Sequence, residues 1–99
     1  MDLSDYRKEI DIIDKEITAL FLKRLDLVNK IAEFKALNNI PTLDSKRESE
    51  KLEAVKKAVI DNGGSEDEAV IAERLFEKIM ELSKERQNEI RQSNSLSRF

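Results

Sequence analysis

The first 37 residues contain neither glycine nor proline, and their apolar residues recur at helical spacing. Leu3, Tyr6, Ile10, Ile13, Ile17 and Leu20 follow one another at steps of three and four, and Leu27, Ile31 and Phe34 resume the rhythm. That period places them on one stripe of a single long helix, the kind of seam a helix presents to helical partners. The helix is expected from about Ser4 to Leu37, with Asp2 or Ser4 as its cap. At 1.5 Å per residue it is roughly 50 Å long, against about 30 Å for a small compact domain.

Breakers fall in two places, Asn38-Asn39-Ile40-Pro41-Thr42 and Asn62-Gly63-Gly64-Ser65. A second helix is expected from near Asp44 to Gly63, where glycine suits the residue after a helix end. Its apolar face is thin: Leu52, Val55, Val59 and Ile60. The third opens with Ser65-Glu66-Asp67-Glu68, a capping box, and carries Ala69, Ala72, Phe76, Ile79, Ser83 and Ile90 on one stripe. It is expected to fray over Arg91–Phe99, which leaves a helical unit of residues 1–92 and a polar tail of residues 93–99. With two Gly, one Pro and 5% aromatics, little material remains for turn-rich β structure.

The fold class is therefore all-α, with one long helix and two shorter ones. The short helices cannot cover the long one while folding back on each other. The uncovered seam would be a large apolar stripe, which soluble monomers avoid. A second copy covers it most economically, as an intertwined two-fold homodimer with the long helices antiparallel.

Composition also narrows the chemistry. There is no Cys and no His, so thiol nucleophiles, disulfides, imidazole bases and Cys/His zinc sites are excluded. No clustered Asp/Asn loop of the calcium-binding kind occurs, and no metal site is expected. A net charge of −3 without a basic tract argues against nucleic acid as a partner. No apolar run approaches membrane-spanning length, so no membrane partner is expected and the cytoplasm is the default location.

Against this background, several polar residues stand on apolar faces. Arg24 fills the one slot in the seam between Leu20 and Leu27. A guanidinium cannot lose its proton, so there it needs an anion or a dense set of acceptors. The ordinary fates of such a residue are to snorkel outward or to pair with a carboxylate such as Asp26 or Glu48. Lys35, eleven residues on, lies about 20° round the helix and roughly 16 Å along it, so the two long side chains can converge on one small anion. Its ordinary role would be to complement the dipole at a helix end.

Ser83 and Gln87 are one turn apart on the third helix. A core Ser often bonds the preceding turn, but a buried carboxamide needs both donors and acceptors met. Asp44, Arg47 and Glu48 share a face of the second helix's first turn. They form either a capping and salt-bridging cluster or a second cation with an acceptor. Arg7 is roughly 25 Å from Arg24 along the same helix. If two such helices pair antiparallel about residue 18, Arg7 of one faces position 29 of the other, between Arg24 and Lys35.

Taken together, Arg7, Arg24, Lys35, Asp44, Arg47, Glu48, Ser83 and Gln87 resemble, in order and spacing, the all-α chorismate mutases, the intertwined-dimer (type II) family of the shikimate pathway. The string Tyr6-Arg7-Lys8-Glu9-Ile10-Asp11-Ile12-Ile13-Asp14 is similar to that family's opening, and Arg74-Leu75-Phe76 to its third helix. The resemblance covers nearly all of residues 3–90.

It implies a cofactor-free rearrangement of chorismate, a small anionic dicarboxylate, to prephenate. This chemistry needs no nucleophile and no proton transfer, only a folded conformer and stabilised charge on the breaking ether oxygen. By the family's pattern, Arg24 and the partner's Arg7 would grip carboxylates, with Arg47 in support. Lys35 and Gln87 would donate to the ether oxygen, Glu48 would accept from the ring hydroxyl, and Asp44 and Ser83 would complete the polar shell. Two alternatives stay open: an isochorismate pyruvate lyase on the same scaffold, and a non-catalytic helical dimerisation or regulatory module.

Overall fold

A computed structural model describes residues 1–97 as three helices, α1 (Leu3–Leu37), α2 (Ser45–Asp61) and α3 (Glu66–Ser97). Each helix start is locally encoded. Asp2 caps α1 in a reciprocal box: its carboxylate accepts from the Asp5 N–H and its own N–H donates to Asp5, both at 3.0 Å. Asp44 caps α2 by accepting from the Arg47 N–H at 3.0 Å. At α3, Ser65 and Glu68 exchange the same pair of bonds, at 3.0 and 3.1 Å. Ser65, through its backbone N–H first and its side chain second, holds the Glu68 carboxyl below its ordinary value.

The helix ends are encoded as well. Asn39 takes φ +54° and the Ile40 N–H returns to the Lys35 carbonyl at 2.8 Å, a Schellman closure of α1. Gly63, at φ +85°, does the same for α2, with the Gly64 N–H on the Val59 carbonyl at 2.8 Å. A Cβ on Gly64 would sit 2.5 Å from Val59 Cγ1 and 2.9 Å from its carbonyl oxygen, so this turn closes only on glycine.

α1 and α2 each pack on α3 and not on one another. The resulting shape is elongated, 60 × 29 × 15 Å. Its core is small: Val28, Ala32, Val55 and Ala69 are buried, together with the polar Ser83 and Gln87. Lys56 ties α2 to α3 through Glu73 at 2.9 Å and also meets Glu53 at 3.1 Å. Those partners, Glu73 first, hold its ammonium above the ordinary lysine value. Among the described residues no helix is long and apolar enough to cross a membrane.

The α1 seam is not the face that α1 buries within the chain. Tyr6, Ile10, Ile13, Ile17, Leu20, Leu27, Ile31 and Phe34 are all exposed. The residues packed on α3 are each one position later: Phe21, Leu25, Val28, Ala32 and Lys35 are buried or half-buried. One residue is about 100° of rotation, so α3 lies along the neighbouring stripe and leaves the seam's apolar residues exposed, while Arg24 alone of the seam reaches across to Ser83. Residues 1–20 are exposed throughout.

Two further expectations are corrected. Ile60 stays 43% exposed, on the rim of an open groove shared with Glu66, Val70 and Glu73 of α3. α3 does not fray at Arg91 but continues as helix through Ser97, with Ile90 and Arg91 half-buried. The last residues of the tail, 98 and 99, lie outside the described residues.

Candidate functional site

Residues of α1, α2, α3 and the α1–α2 loop meet round a cavity of about 190 Å³. Seven of the eight site residues expected from the sequence line it: Arg24, Lys35, Asp44, Arg47, Glu48, Ser83 and Gln87. Arg7 does not; it lies on the exposed first half of α1. A larger groove of about 450 Å³ runs between α2 and α3, but Ala54, Val55, Ala58, Val59, Ala72 and Phe76 make most of its wall. Among its described lining residues that groove carries a single charge, Lys51, against seven in the smaller cavity, so the smaller cavity is the chemically equipped one.

Arg24 projects from the half of α1 that packs on α3 and donates from Nη1 to Ser83 Oγ. Ser83 in turn donates from its hydroxyl to the Ile79 carbonyl at 2.7 Å. Its hydroxyl thus bonds the preceding turn, as a core serine does, and also presents a lone pair to the guanidinium. Neither expected carboxylate pairs with Arg24: Asp26 meets Lys30 at 3.5 Å and Glu48 meets Lys84 at 2.9 Å. Among the described residues Arg24 has no ion-pair partner. Burial first, and Arg47 second, push its guanidinium below the ordinary value. The strain falls on the charged form, and a bound anion would relieve it.

Lys35 is half-buried, its Nζ donating to the Thr42 carbonyl at 3.0 Å. Asp44 is engaged as the α2 cap, and Arg47 stands exposed three residues on. Gln87 is 8% exposed, and its buried Oε1 has no hydrogen-bond partner. An orphaned buried acceptor costs about 1–3 kcal/mol. A ligand donor would satisfy it, and the same amide turned over would instead present its N–H₂ to a ligand acceptor.

Five cations and two carboxylates line the cavity of a chain whose net charge is −3. The field is therefore locally reversed, which favours a small anion. The site can hold an anion in a fixed shape and set donors against a developing negative charge. Ser83 is not activated as a nucleophile, having no adjacent base, and among the described residues no group of His, Cys, Asp or Glu is placed to hold a metal. Sequence reasoning missed Lys84, Lys51 and Thr42, which also line the cavity. Lys84 follows Ser83 directly and so falls about 100° off the stripe that drew attention. Lys51 lies over the Phe76 ring, 5.7 Å from its centroid, at the cavity's edge. Thr42 contributes a backbone carbonyl, which no side-chain pattern announces.

A family model described as chorismate mutase type II matches residues 6–88, which include every one of the eight residues. A protein named T-protein from Haemophilus influenzae is 40% identical over 52 residues, 52% of this chain and 14% of that protein. A bifunctional chorismate mutase/prephenate dehydratase from Buchnera aphidicola subsp. Schizaphis graminum is 50% identical over 52 residues, with the same shares of each chain. The match thus covers only a small part of either relative.

Proposed function

The chain belongs to the chorismate mutase type II family, and from that premise we propose that it rearranges chorismate to prephenate in a site shared by two copies of the chain. The observation that carries the reading is the unpaired Arg24, set in one cavity with Lys35, Arg47 and the orphaned amide of Gln87. In the reaction a C–O bond breaks as a C–C bond forms, and no proton moves. Catalysis is then a matter of conformer and charge. Arg24 and Arg47 hold the carboxylates, which fixes the chair-like approach of the two termini. Lys35 and Gln87 donate to the ether oxygen as negative charge grows there, so their interaction strengthens toward the transition state. Glu48 accepts from the ring hydroxyl, while Asp44 and Ser83 hold Arg47 and Arg24 in place.

The second copy supplies Arg7. Its support is the bare seam of α1, together with a cavity below the roughly 300–1,000 Å³ usual for small-molecule sites. An antiparallel pairing of two α1 helices covers the seam, walls the cavity, and brings the partner's Arg7 between Arg24 and Lys35. The catalytic unit is residues 1–92.

Incubation of the purified protein with chorismate, followed by absorbance loss and by detection of prephenate, tests the reading. Isochorismate is run alongside with pyruvate as the product sought. Prephenate from chorismate is the expected result. Its absence refutes the proposal, and pyruvate from isochorismate alone would replace it with the lyase.

A further inference from the structure

Arg91 stands one turn beyond Gln87 and two beyond Ser83, so the three share a face of α3. It does not line the cavity. Its half-buried side chain instead leaves α3 for the α1–α2 loop: Nη1 donates to Thr42 Oγ1 at 3.1 Å and Nη2 to the Ile40 carbonyl. Thr42 is the residue whose carbonyl accepts from Lys35 Nζ at 3.0 Å. One threonine therefore takes a cation from each side, Arg91 on its hydroxyl and Lys35 on its carbonyl. Because α1 and α2 do not pack on one another, this loop has no helix–helix contact to hold it. It is held by the Asn39 turn, the Asp44 cap, the Lys35 bond to Thr42 and, from α3, the guanidinium of Arg91.

We propose that Arg91 is a positioning residue for the reaction: it pins Thr42 so that the Thr42 carbonyl aims the Lys35 ammonium into the cavity. The proposal rests on the reading of the cavity as the chorismate site. A planar guanidinium can serve two acceptors on different residues, whereas a lysine ammonium offers one point of attachment on a mobile stem. Arg91→Lys keeps the charge and loses the fork. It therefore separates bracing from a mere contribution to the local field.

The test is a double-mutant cycle on kcat/KM for chorismate. Arg91→Ala and Arg91→Lys should each lower kcat/KM by about tenfold in the wild-type background. Arg91→Ala should cost less than about twofold when Lys35 is already alanine, since coupled residues do not add. A loss of the same factor in both backgrounds, or no loss in the first, overturns the proposal. A purely structural role would lower Tm equally in both backgrounds and give that additive result. Should Arg91→Ala fail to fold, Thr42→Val removes only the Oγ1 acceptor and should show the same coupling to Lys35. The brace also has a signature independent of turnover. The ¹⁵N resonance of the Lys35 ammonium, identified by its absence in Lys35→Ala, should shift or broaden in Arg91→Lys. If the wild type makes no prephenate, the functional reading fails while this resonance still decides the brace, and an unchanged signal refutes it.

Discussion

The two halves of α1 carry the same apolar rhythm and meet opposite fates. From Phe21 onward the helix packs on α3, burying Val28 and Ala32 and half-burying Arg24 and Lys35. Before that point all of residues 1–20 are exposed, although Ile10, Ile13 and Ile17 are as apolar as anything downstream. Periodicity is identical, so periodicity did not decide. Packing did: α3 buries only the second half, and among the described residues the first half stays exposed. The packed half holds two of the cavity's five cations, Arg24 and Lys35, while the bare half holds Arg7 and an apolar surface that the single chain leaves exposed.

The largest effect is expected in the packed half. Arg24→Ala or Lys35→Ala should lower kcat/KM by about 10³-fold, since on the proposed reading each removes a donor to a carboxylate or a developing oxyanion. Far-ultraviolet circular dichroism should keep its helical form, because neither residue belongs to the apolar core. A variant that stayed within tenfold of wild type would mean that the packed half is scaffold and that the cavity's charge serves something else.

The bare half is tested next, through Arg7. Arg7→Ala should cost about 10²-fold in kcat/KM, less than Arg24 because other cations still hold the substrate. Complementation distinguishes a shared site from a remote effect. In a heterodimer of Arg7→Ala and Lys35→Ala chains, one of the two sites regains both native residues. After the two inactive proteins are mixed and allowed to exchange, activity should therefore rise to about a quarter of wild type, as random two-fold pairing dictates. If mixing restored nothing, Arg7 would have no place in the partner's site.

Much of this architecture could be read from residues alone, and the reasons for the gaps are physical. Asp44, Gly63 and the Ser65–Glu68 box announce helix ends because capping is local chemistry, complete within four residues. Seven of eight site residues converge because helical spacing converts directly into a shared face. What a one-dimensional period cannot tell is which of two adjacent stripes meets the chain's own α3, and the seam proved to be the unmet one. Nor does it follow long side chains: Lys84 reaching Glu48, or Arg91 reaching Thr42 and Ile40, cross between elements on flexible stems. The run of α3 past Ile90 escaped because the apolar stripe ends there while the helix does not.

A smaller and conditional effect concerns Gln87, the buried neutral amide on α3 that shares the cavity with the packed half. The wild-type amide carries no titrating proton, so it should add no pH dependence to kcat/KM. Gln87→Glu places a carboxyl in the same buried position, where desolvation raises its pKa. That group donates only when protonated, so activity should be retained in acid and fall as pH rises through the raised value. A variant with a flat profile would show that Gln87 does not face the reacting oxygen.

The smallest effect belongs to the far end of the bare half. Asp2 and Asp5 close the box that starts α1, and among residues 1–20 no tertiary packing reinforces it within one chain. Asp2→Ala should cost about 1 kcal/mol, the usual value of a lost cap, read as a drop in Tm. Its size should depend on concentration. On the proposed dimer, the partner's packing would hold residues 3–20 helical, so losing the cap should fray little. On dilution toward monomer the same substitution should visibly lower helicity, because an unpacked helix end survives on local terms alone. Equal helicity loss at high and low concentration would mean that the first half of α1 is as bare in solution as it is in a single chain, and the division of labour between the halves would have to be given up.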